Sequence, residues 1–321
     1  MTPSGRSLVL LDLPLPDFLA AQIDAFAETR PWSVLRADPH GDLARIEGLY
    51  TYGHPRVDAA LLARLPRLRV VSNFGVGVDH IDVRAATARG VPVGNTPGAV
   101  DGATADMTMA LLLAAARNVV RGDRFARGPE FTRYDPTLLL GAEVHGSTLG
   151  IIGLGRIGRQ VARRARGFDM RILYHSRKRR DAAAEAALGV EYAPLDELLS
   201  RSHFVSLNVP LTPETRGLIG ERELRLMRRD AILVNVARGA VVDHDALCRA
   251  LREGWIAGAA IDVTEPEPLP RDHPLLRHDN LVIAPHLGSA TLRTRARMGE
   301  MAAANLRAGL AREPLPHAVT C

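Results

Sequence analysis

A glycine-rich turn between an apolar strand and a helix places the strongest constraint on how this chain folds. Residues Leu149–Gly153 predict a buried strand, and Gly153, Gly155 and Gly158 form a GxGxxG pattern at the start of a predicted helix, Ile157–Arg166. In that context the first glycine permits a tight turn, the second lets a pyrophosphate approach the backbone, and the third lets the helix pack closely on the strand. The free N–H groups of the helix N-terminus favour phosphate. The sequence therefore predicts a dinucleotide-binding unit.

Strands and helices alternate on both sides of this turn, which indicates parallel α/β sheets. The strands predicted from the turn onwards are Leu149–Gly153, Arg171–His175, Phe204–Asn208, Ala231–Asn235, Gly258–Asp262 and Leu281–Ile283. Six strands with crossover helices are typical of a doubly wound nucleotide-binding sheet. Earlier elements are predicted at Leu8–Leu11, Asp17–Thr29, Asp58–Leu65, Leu68–Asn73, Val91–Val93 and Ala103–Val120, and a last helix at Thr291–Ala311. The helix Ala103–Val120 is apolar nearly all round, so we expect it to be buried on several sides.

Composition narrows the functional classes. The chain has 321 residues, which suggests about two domains of roughly 150 residues each. The net charge of +5 is spread among matching acids and aromatic residues make up only 4%, so we expect no nucleic-acid partner. Cys248 and Cys321 form no CxxC spacing, so no metal site is predicted. The longest apolar stretch, Met107–Ala116, is far shorter than the roughly 20 residues of a membrane span, and we expect a cytoplasmic protein.

The end of the strand Arg171–His175 bears on the choice of dinucleotide. An acidic residue there would bind the ribose 2′-hydroxyl of NAD, but this chain has His175, followed by Ser176, Arg177 and Lys178. Hydroxyl, guanidinium and ammonium groups bind a 2′-phosphate through charge-assisted hydrogen bonds. We therefore predict a preference for NADPH, with NADH possible. The alternative is that this segment is a solvated basic loop.

Polar side chains follow three neighbouring strands where an open α/β sheet places its sites. Arg238 follows one predicted strand, Asp262 and Glu267 follow the next, and His286 follows the last. Reduction of a ketone needs a proton donor, and imidazole can donate a proton near neutral pH. A carboxylate beside the imidazole would fix its tautomer, and a guanidinium can hold a carboxylate with two parallel bonds. The combination indicates a 2-oxo acid reductase.

These residues lie within longer motifs that extend over nearly the whole chain. They are Asn73–Asp82, Asn95–Gly98, Ala103–Asp106, Gly153–Gly158, Val209–Thr215, Asn235–Gly239, Asp262–Pro268 and Pro285–Thr291. In these motifs the chain resembles the D-isomer-specific 2-hydroxyacid dehydrogenases, and more closely their glyoxylate/hydroxypyruvate reductase branch.

The resemblance implies roles for individual residues. It implies a catalytic set of Arg238, Glu267 and His286, in which Arg238 holds the substrate carboxylate and Glu267 pairs with His286. It implies that the backbone of Val76 and Gly77 also holds that carboxylate, with Ser289 near the substrate. Cofactor contacts are expected at the glycine turn and at Thr104, Arg156, Ile157, Ser176, Arg177, Lys178, Pro210, Val236, Ala237, Asp262 and Gly288.

The resemblance also implies an architecture of two Rossmann-like domains. A doubly wound cofactor domain, residues 99–288, would be inserted into a discontinuous, flavodoxin-like substrate domain formed by residues 1–98 and 289–321, with the active site in the cleft between them. The family further implies a homodimer, with the long helix and the loop Gly128–Gly141 at its interface.

The function implied is NADPH-preferring reduction of glyoxylate to glycolate and of hydroxypyruvate to D-glycerate. Alternatives are a dehydrogenase for a bulkier 2-oxo acid, phosphoglycerate or phosphite, and a dinucleotide-sensing corepressor. Two residues depart from the family's pattern. Thr264 stands where an aromatic residue is common, and Leu138 stands where mammalian relatives have a tryptophan that enters the partner's site.

Overall fold

A computed structural model describes residues 6–38 and 41–320 of the chain. The chain divides into two compact units. The discontinuous unit consists of the residues up to Val100 together with those from Thr291, and the continuous unit is Asp101–Ala290. The predicted domain boundaries followed residues 98 and 288, whereas these units change after residues 100 and 290.

The helices and strands alternate along almost the whole chain. The strands are β1 (Ser7–Leu11), β2 (Ala27–Pro31), β3 (Ile46–Thr51), β4 (Val70–Asn73), β5 (Val93–Gly94), β6 (Thr148–Ile152), β7 (Arg171–His175), β8 (Glu191–Tyr192), β9 (Phe204–Leu207), β10 (Ile232–Asn235), β11 (Gly258–Ile261) and β12 (Leu281–Ile283). The helices are α1 (Asp17–Asp24), α2 (Ala59–Ala63), α3 (Val83–Ala88), α4 (Asp101–Ala116), α5 (Val119–Arg127), α6 (Arg156–Ala165), α7 (Ala182–Leu188), α8 (Leu195–Arg201), α9 (Glu221–Leu226), α10 (His244–Glu253) and α11 (Leu292–Leu310).

The discontinuous unit is built on a parallel sheet in the order β2-β1-β3-β4-β5. This is the flavodoxin-like order, so that prediction is confirmed. Alternate strand residues such as Leu10, Leu49 and Val71 pack with α2 and α3 on one face of the sheet. On the other face α11 packs against β3 and β4, which returns the end of the chain to its first sheet.

Two strands of this sheet, β2 and β3, were not predicted from the sequence. The predicted helix Asp17–Thr29 was wrong beyond Asp24, because Ala27–Pro31 forms the edge strand β2. Such a strand has one neighbour and is only partly buried, so it lacks an apolar run and tolerates a terminal proline. In β3 the pattern is interrupted by Glu47, a buried acid paired with Arg69 at 2.9 Å.

The continuous unit is built on a seven-stranded parallel sheet in the order β12-β11-β10-β9-β6-β7-β8. The sequence predicted six of these strands and missed β8, a two-residue edge strand too short to show a periodic pattern. Chain order reverses between the neighbours β6 and β9, and ligands of such sheets bind beyond the carboxyl ends of the strands at this point.

Helices cover both faces of this sheet, as a doubly wound fold requires. Ile151, Tyr174 and Val234 face a core shared with α4 and α6. The alternate residues, such as Ile152 and Leu233, face a second core shared with α8, α9 and α10. The fold class predicted from the sequence is confirmed.

The long apolar helix predicted at Ala103–Val120 is two helices. The first, α4, ends at Ala116, and Asn118 adopts a left-handed conformation with φ of 52° before α5 begins. Packing of α4 against α6, β10 and β11 accounts for its apolar character. Among residues 6–38 and 41–320, no helix combines the length and the apolarity needed to cross a membrane.

A buried acid ties the basic segment after β7 to α7. The Glu185 carboxylate accepts two bonds from the Arg179 guanidinium, both 2.9 Å, and one of 2.7 Å from the Tyr174 hydroxyl. The bonds from Arg179 and then from Tyr174 lower the pKa of Glu185 from 4.5 to about 2.

We predict that Glu185→Gln removes stability in a pH-dependent way. Because the folded-state pKa is depressed, the ionised carboxylate stabilises the fold above about pH 4.5, and this contribution is lost as the pH falls towards 2. Urea unfolding of both proteins at several pH values should give a difference that is largest near neutral pH and shrinks in acid. If the difference in unfolding free energy between the two proteins stayed constant down to about pH 2, the stabilising role of the Glu185 carboxylate would be contradicted.

Candidate active site

The glycine-rich turn joins β6 to α6 and places its three glycines in different surroundings. A Cβ atom on Gly153, whose φ is 97°, would lie 2.6 Å from the carbonyl oxygen of Asn208, and one on Gly158 would overlap the carbonyl of Gly153. The chain itself therefore requires these two glycines. A Cβ on Gly155 would have no protein atom within 4 Å. The space beside Gly155 is where a pyrophosphate would approach the helix N-terminus, so the turn fits a dinucleotide.

The segment after β7 lies against this turn. The Ser176 hydroxyl accepts a 2.9 Å bond from the N–H of Leu154, and the Arg180 guanidinium donates a 3.1 Å bond to the carbonyl of Leu154. Arg177 and Lys178 are exposed. Hydroxyl and cationic groups thus gather beside the glycine turn. Arg180 was not predicted as a site residue, although it belongs to the basic run Arg177–Arg180, which could have indicated it.

Arg238 is carried by a turn that the last residue of β10 holds in place. The buried side chain of Asn235 donates a 2.9 Å bond to the carbonyl of Arg238 and accepts a 3.0 Å bond from the N–H of Ala237. The guanidinium of Arg238 donates to the carbonyl of Ala237 at 2.9 Å. A buried amide thus sets the backbone from which the predicted substrate-binding arginine extends.

Asp262 organises the loop that follows β12. Its carboxylate, only 2% exposed, accepts bonds from the N–H groups of Leu287 at 2.6 Å and Gly288 at 2.7 Å. Its carbonyl accepts a 2.8 Å bond from the N–H of His286, and the Thr104 hydroxyl donates to the carbonyl of Gly288 at 3.2 Å. Burial raises the pKa of the Asp262 carboxyl, while the two N–H bonds lower it. The carboxylate thereby fixes the backbone on both sides of His286.

His286 and Glu267 form a close pair. The imidazole Nδ1 lies 2.6 Å from Glu267 Oε1, and Glu267 Oε2 accepts a 3.3 Å bond from the N–H of Thr264. The Thr264 hydroxyl donates to the carbonyl of Pro266 at 2.8 Å, so this residue braces the segment that carries Glu267. Such a pair fixes the orientation of the imidazole ring.

The structure places the remaining predicted residues as follows. Pro210 follows β9, Val236 and Ala237 follow β10, and Ser289 lies in the loop after β12, so all are at the carboxyl edge of the same sheet. Arg156 and Ile157 lie in the first turn of α6, and Thr104 in α4. Val76 and Gly77 belong to the discontinuous unit, in the loop after β4.

A family model described as "D-isomer specific 2-hydroxyacid dehydrogenase, NAD binding domain" matches residues 109–288. The chain is 56% identical over 251 residues to a glyoxylate reductase of Korarchaeum cryptofilum. The aligned region covers 78% of this chain and 75% of that protein. It is 47% identical over 306 residues to a glyoxylate reductase of Pyrococcus furiosus, covering 93% and 90% of the two chains.

Solved structures resemble the whole chain. An NADPH-dependent glyoxylate/hydroxypyruvate reductase from Sinorhizobium meliloti, in complex with NADP and malonate, superposes with a TM-score of 0.90 at 31% identity. The match covers 98% of this chain and 97% of that one. The similarity therefore extends through both units.

We predict that alanine at Gly155 and at Gly158 has different consequences. Gly158→Ala should destabilise the fold by about 1–3 kcal/mol, because its methyl group meets the backbone of Gly153. Gly155→Ala should leave thermal stability almost unchanged and weaken dinucleotide binding, because its methyl group occupies only space outside the chain. Thermal unfolding and nicotinamide fluorescence titration measure the two effects. Equal loss of stability in both variants would show that Gly155 has a structural role.

Proposed function

Because the chain belongs to the D-isomer-specific 2-hydroxyacid dehydrogenase family, we propose that it is an NADPH-preferring reductase of glyoxylate and hydroxypyruvate. The products would be glycolate and D-glycerate. The observation that carries the proposal is the 2.6 Å pair of His286 and Glu267, at the same sheet edge as the glycine-rich turn. The relatives named above support the reduction of small 2-oxo acids.

His286 is proposed to protonate the substrate oxygen. Glu267 bonds Nδ1, so the proton would be given through Nε2 as negative charge develops on the former carbonyl oxygen. The Glu267 carboxylate keeps the imidazole ring oriented throughout the transfer. A bound dihydronicotinamide supplies the hydride that completes the reduction.

From the family resemblance, we propose that Arg238 and the backbone N–H groups of Val76 and Gly77 bind the substrate carboxylate, and that Ser289 is a further substrate-binding residue. A guanidinium offers two parallel donors to a carboxylate, which fixes both position and orientation. A substrate held in this way presents its carbonyl group in one orientation to the proton donor.

The cofactor preference is assigned to the segment after β7. Ser176, Arg177 and Lys178 offer one hydroxyl and two cations, and Arg180 adds a guanidinium beside the glycine turn. His175, in place of an acid, lies with Nδ1 3.2 Å from the carbonyl of Ala193. No carboxylate of this short segment would repel a 2′-phosphate, and NADH remains a possible second cofactor. The other proposed cofactor contacts are Thr104, Gly153, Gly155, Arg156, Ile157, Gly158, Pro210, Val236, Ala237, Asp262 and Gly288.

A homodimer is proposed from the segment that follows α4. It exposes several large apolar side chains close together in sequence, namely Val119, Phe131, Tyr134, Leu138 and Leu140. The rings of Phe125 and Phe131 pack at 5.6 Å. Large apolar side chains exposed along one segment favour a protein interface there, and a second copy would cover them.

The cofactor preference predicts a kinetic difference. The kcat/KM for NADPH should exceed that for NADH by about tenfold or more, because bonds to a charged phosphate are strong. Arg177→Glu should lower kcat/KM for NADPH far more than for NADH. Arg163→Glu makes the same charge change in the last turn of α6 and serves as the control. A wild-type preference for NADH would contradict the proposal.

Removal of the proton donor predicts a loss of turnover. His286→Ala should lower kcat by a factor on the order of 10²–10⁴ while NADPH still binds. Arg238→Ala should raise KM for glyoxylate and lower kcat together, because the substrate loses both affinity and orientation. His145→Ala, which changes an exposed histidine in the loop before β6, is the matched control. Near-full turnover in His286→Ala would refute the assignment of the proton donor.

A further inference from the structure

The loop after β4 is held by a buried asparagine that the proposed mechanism does not use. Asn73, fully buried at the end of β4, donates its two side-chain N–H bonds to the carbonyls of Gly75 at 3.0 Å and Gly77 at 2.9 Å. Its Oδ1 accepts a 2.8 Å bond from the hydroxyl of Thr51, which is also fully buried. The two loop carbonyls can only accept hydrogen bonds, so the donor end of the amide faces them, and the Thr51 hydroxyl bonds its oxygen end.

A second asparagine binds the carbonyl between these two. Asn95 donates a 2.8 Å bond to the carbonyl of Val76. Its own backbone is anchored by Asn305 of α11, which donates to the carbonyl of Asn95 at 3.0 Å. All three carbonyl oxygens of the sequence Gly75-Val76-Gly77 are therefore engaged by asparagine side chains.

Because each peptide group is planar, the bonds to these carbonyl oxygens also set the direction of the N–H groups that follow them. In a trans peptide the C=O of one residue and the N–H of the next point in opposite directions. Holding the carbonyls of Gly75 and Val76 therefore directs the N–H groups of Val76 and Gly77 to the other side of the loop. The bond from Asn73 to the carbonyl of Gly77 does the same for the N–H of Val78.

These N–H groups have no acceptor of their own in the part of the chain that the structure describes, residues 6–38 and 41–320: none of Val76, Gly77 and Val78 donates its N–H to a protein atom there. All three residues are only partly buried. Successive backbone N–H groups without internal acceptors can bind an anion.

We infer that Asn73 and Asn95 are positioning residues, which hold the carbonyl side of this loop so that its N–H groups are preset for a carboxylate. The inference rests on the proposed function, which gives these N–H groups the substrate carboxylate. Thr51 acts through Asn73 by bonding the oxygen of its amide and so holding the side chain in place. Preset donors need no reorganisation when the anion arrives, so the asparagines raise affinity without contacting it.

The test compares variants by the carboxylate affinity of the NADPH-loaded protein. Asn73→Asp keeps the shape and removes both donors, Asn95→Ala removes the third, and Thr51→Val removes the hydroxyl that orients Asn73. Thr51→Ser keeps a hydroxyl at this position. Ser72→Ala is the matched control, since Ser72 is an equally buried β4 residue whose hydroxyl bonds the carbonyl of Ala302 instead of the loop. Oxalate affinity by calorimetry, KM and kcat for glyoxylate, NADPH affinity and thermal unfolding are measured for each.

The first three variants should raise the oxalate Kd and the glyoxylate KM by about tenfold or more, because N–H groups that are no longer held in place bind a carboxylate less well. NADPH affinity should stay within about twofold, because its site lies in the other unit. Thr51→Ser should restore wild-type values, and Ser72→Ala should change only stability. If Asn73→Asp fails to fold, Asn95→Ala and the Thr51 pair carry the test.

The outcomes separate this inference from the proposed function. Folded variants with wild-type oxalate affinity, or with only a lower melting temperature, overturn the inference. Variants that lose oxalate binding while no 2-oxo acid is reduced by the wild-type protein uphold the inference and overturn the proposed function. A wild-type protein that neither binds oxalate nor reduces glyoxylate overturns both.

Discussion

The buried carboxylate of Asp262 is the interaction on which the candidate site depends. It stands at the end of β11, and its bonds to the N–H groups of Leu287 and Gly288 join the loop after β12 to the neighbouring strand. A buried charge is costly unless it is fully hydrogen-bonded, and this one finds its partners in the backbone that flanks His286. The backbone of His286 is therefore held in a fixed position, and the bond to Glu267 orients its imidazole ring.

Polar side chains that end strands perform the same task elsewhere. Asn235 ends β10 and holds the turn that carries Arg238, and Asn73 ends β4 and holds the loop with Val76 and Gly77. In each case an amide adds hydrogen bonds to backbone groups of an irregular turn or loop. The rigid sheets thereby extend their order into loops, where binding and catalytic groups are placed.

Much of the fold could be predicted from the sequence, because most strands in the continuous unit are largely apolar runs between turn residues. The glycine turn, Arg238, Glu267 and His286 could be predicted as candidates, because each follows an apolar run. Prediction failed where tertiary contacts replace the local pattern. The edge strands β2 and β8 are short or partly exposed, and in β3 a buried ion pair of Glu47 and Arg69 interrupts the apolar sequence. The break after α4 depends on the single left-handed residue Asn118.

The sequence by itself determined the fold class, the dinucleotide-binding turn and the chemical character of the site, because spacing and residue type suffice for these. The tertiary structure decided which hydrogen-bond partner each polar side chain has. Arg179 is committed to Glu185, whereas Arg180 lies on the glycine turn, although the two are adjacent in the same basic run. Asn73 and Asp262 likewise serve the backbone of loops, some of them distant in sequence. The physical reason is that a hydrogen bond depends on distance and direction in space, and linear spacing specifies neither for residues brought together by the sheet.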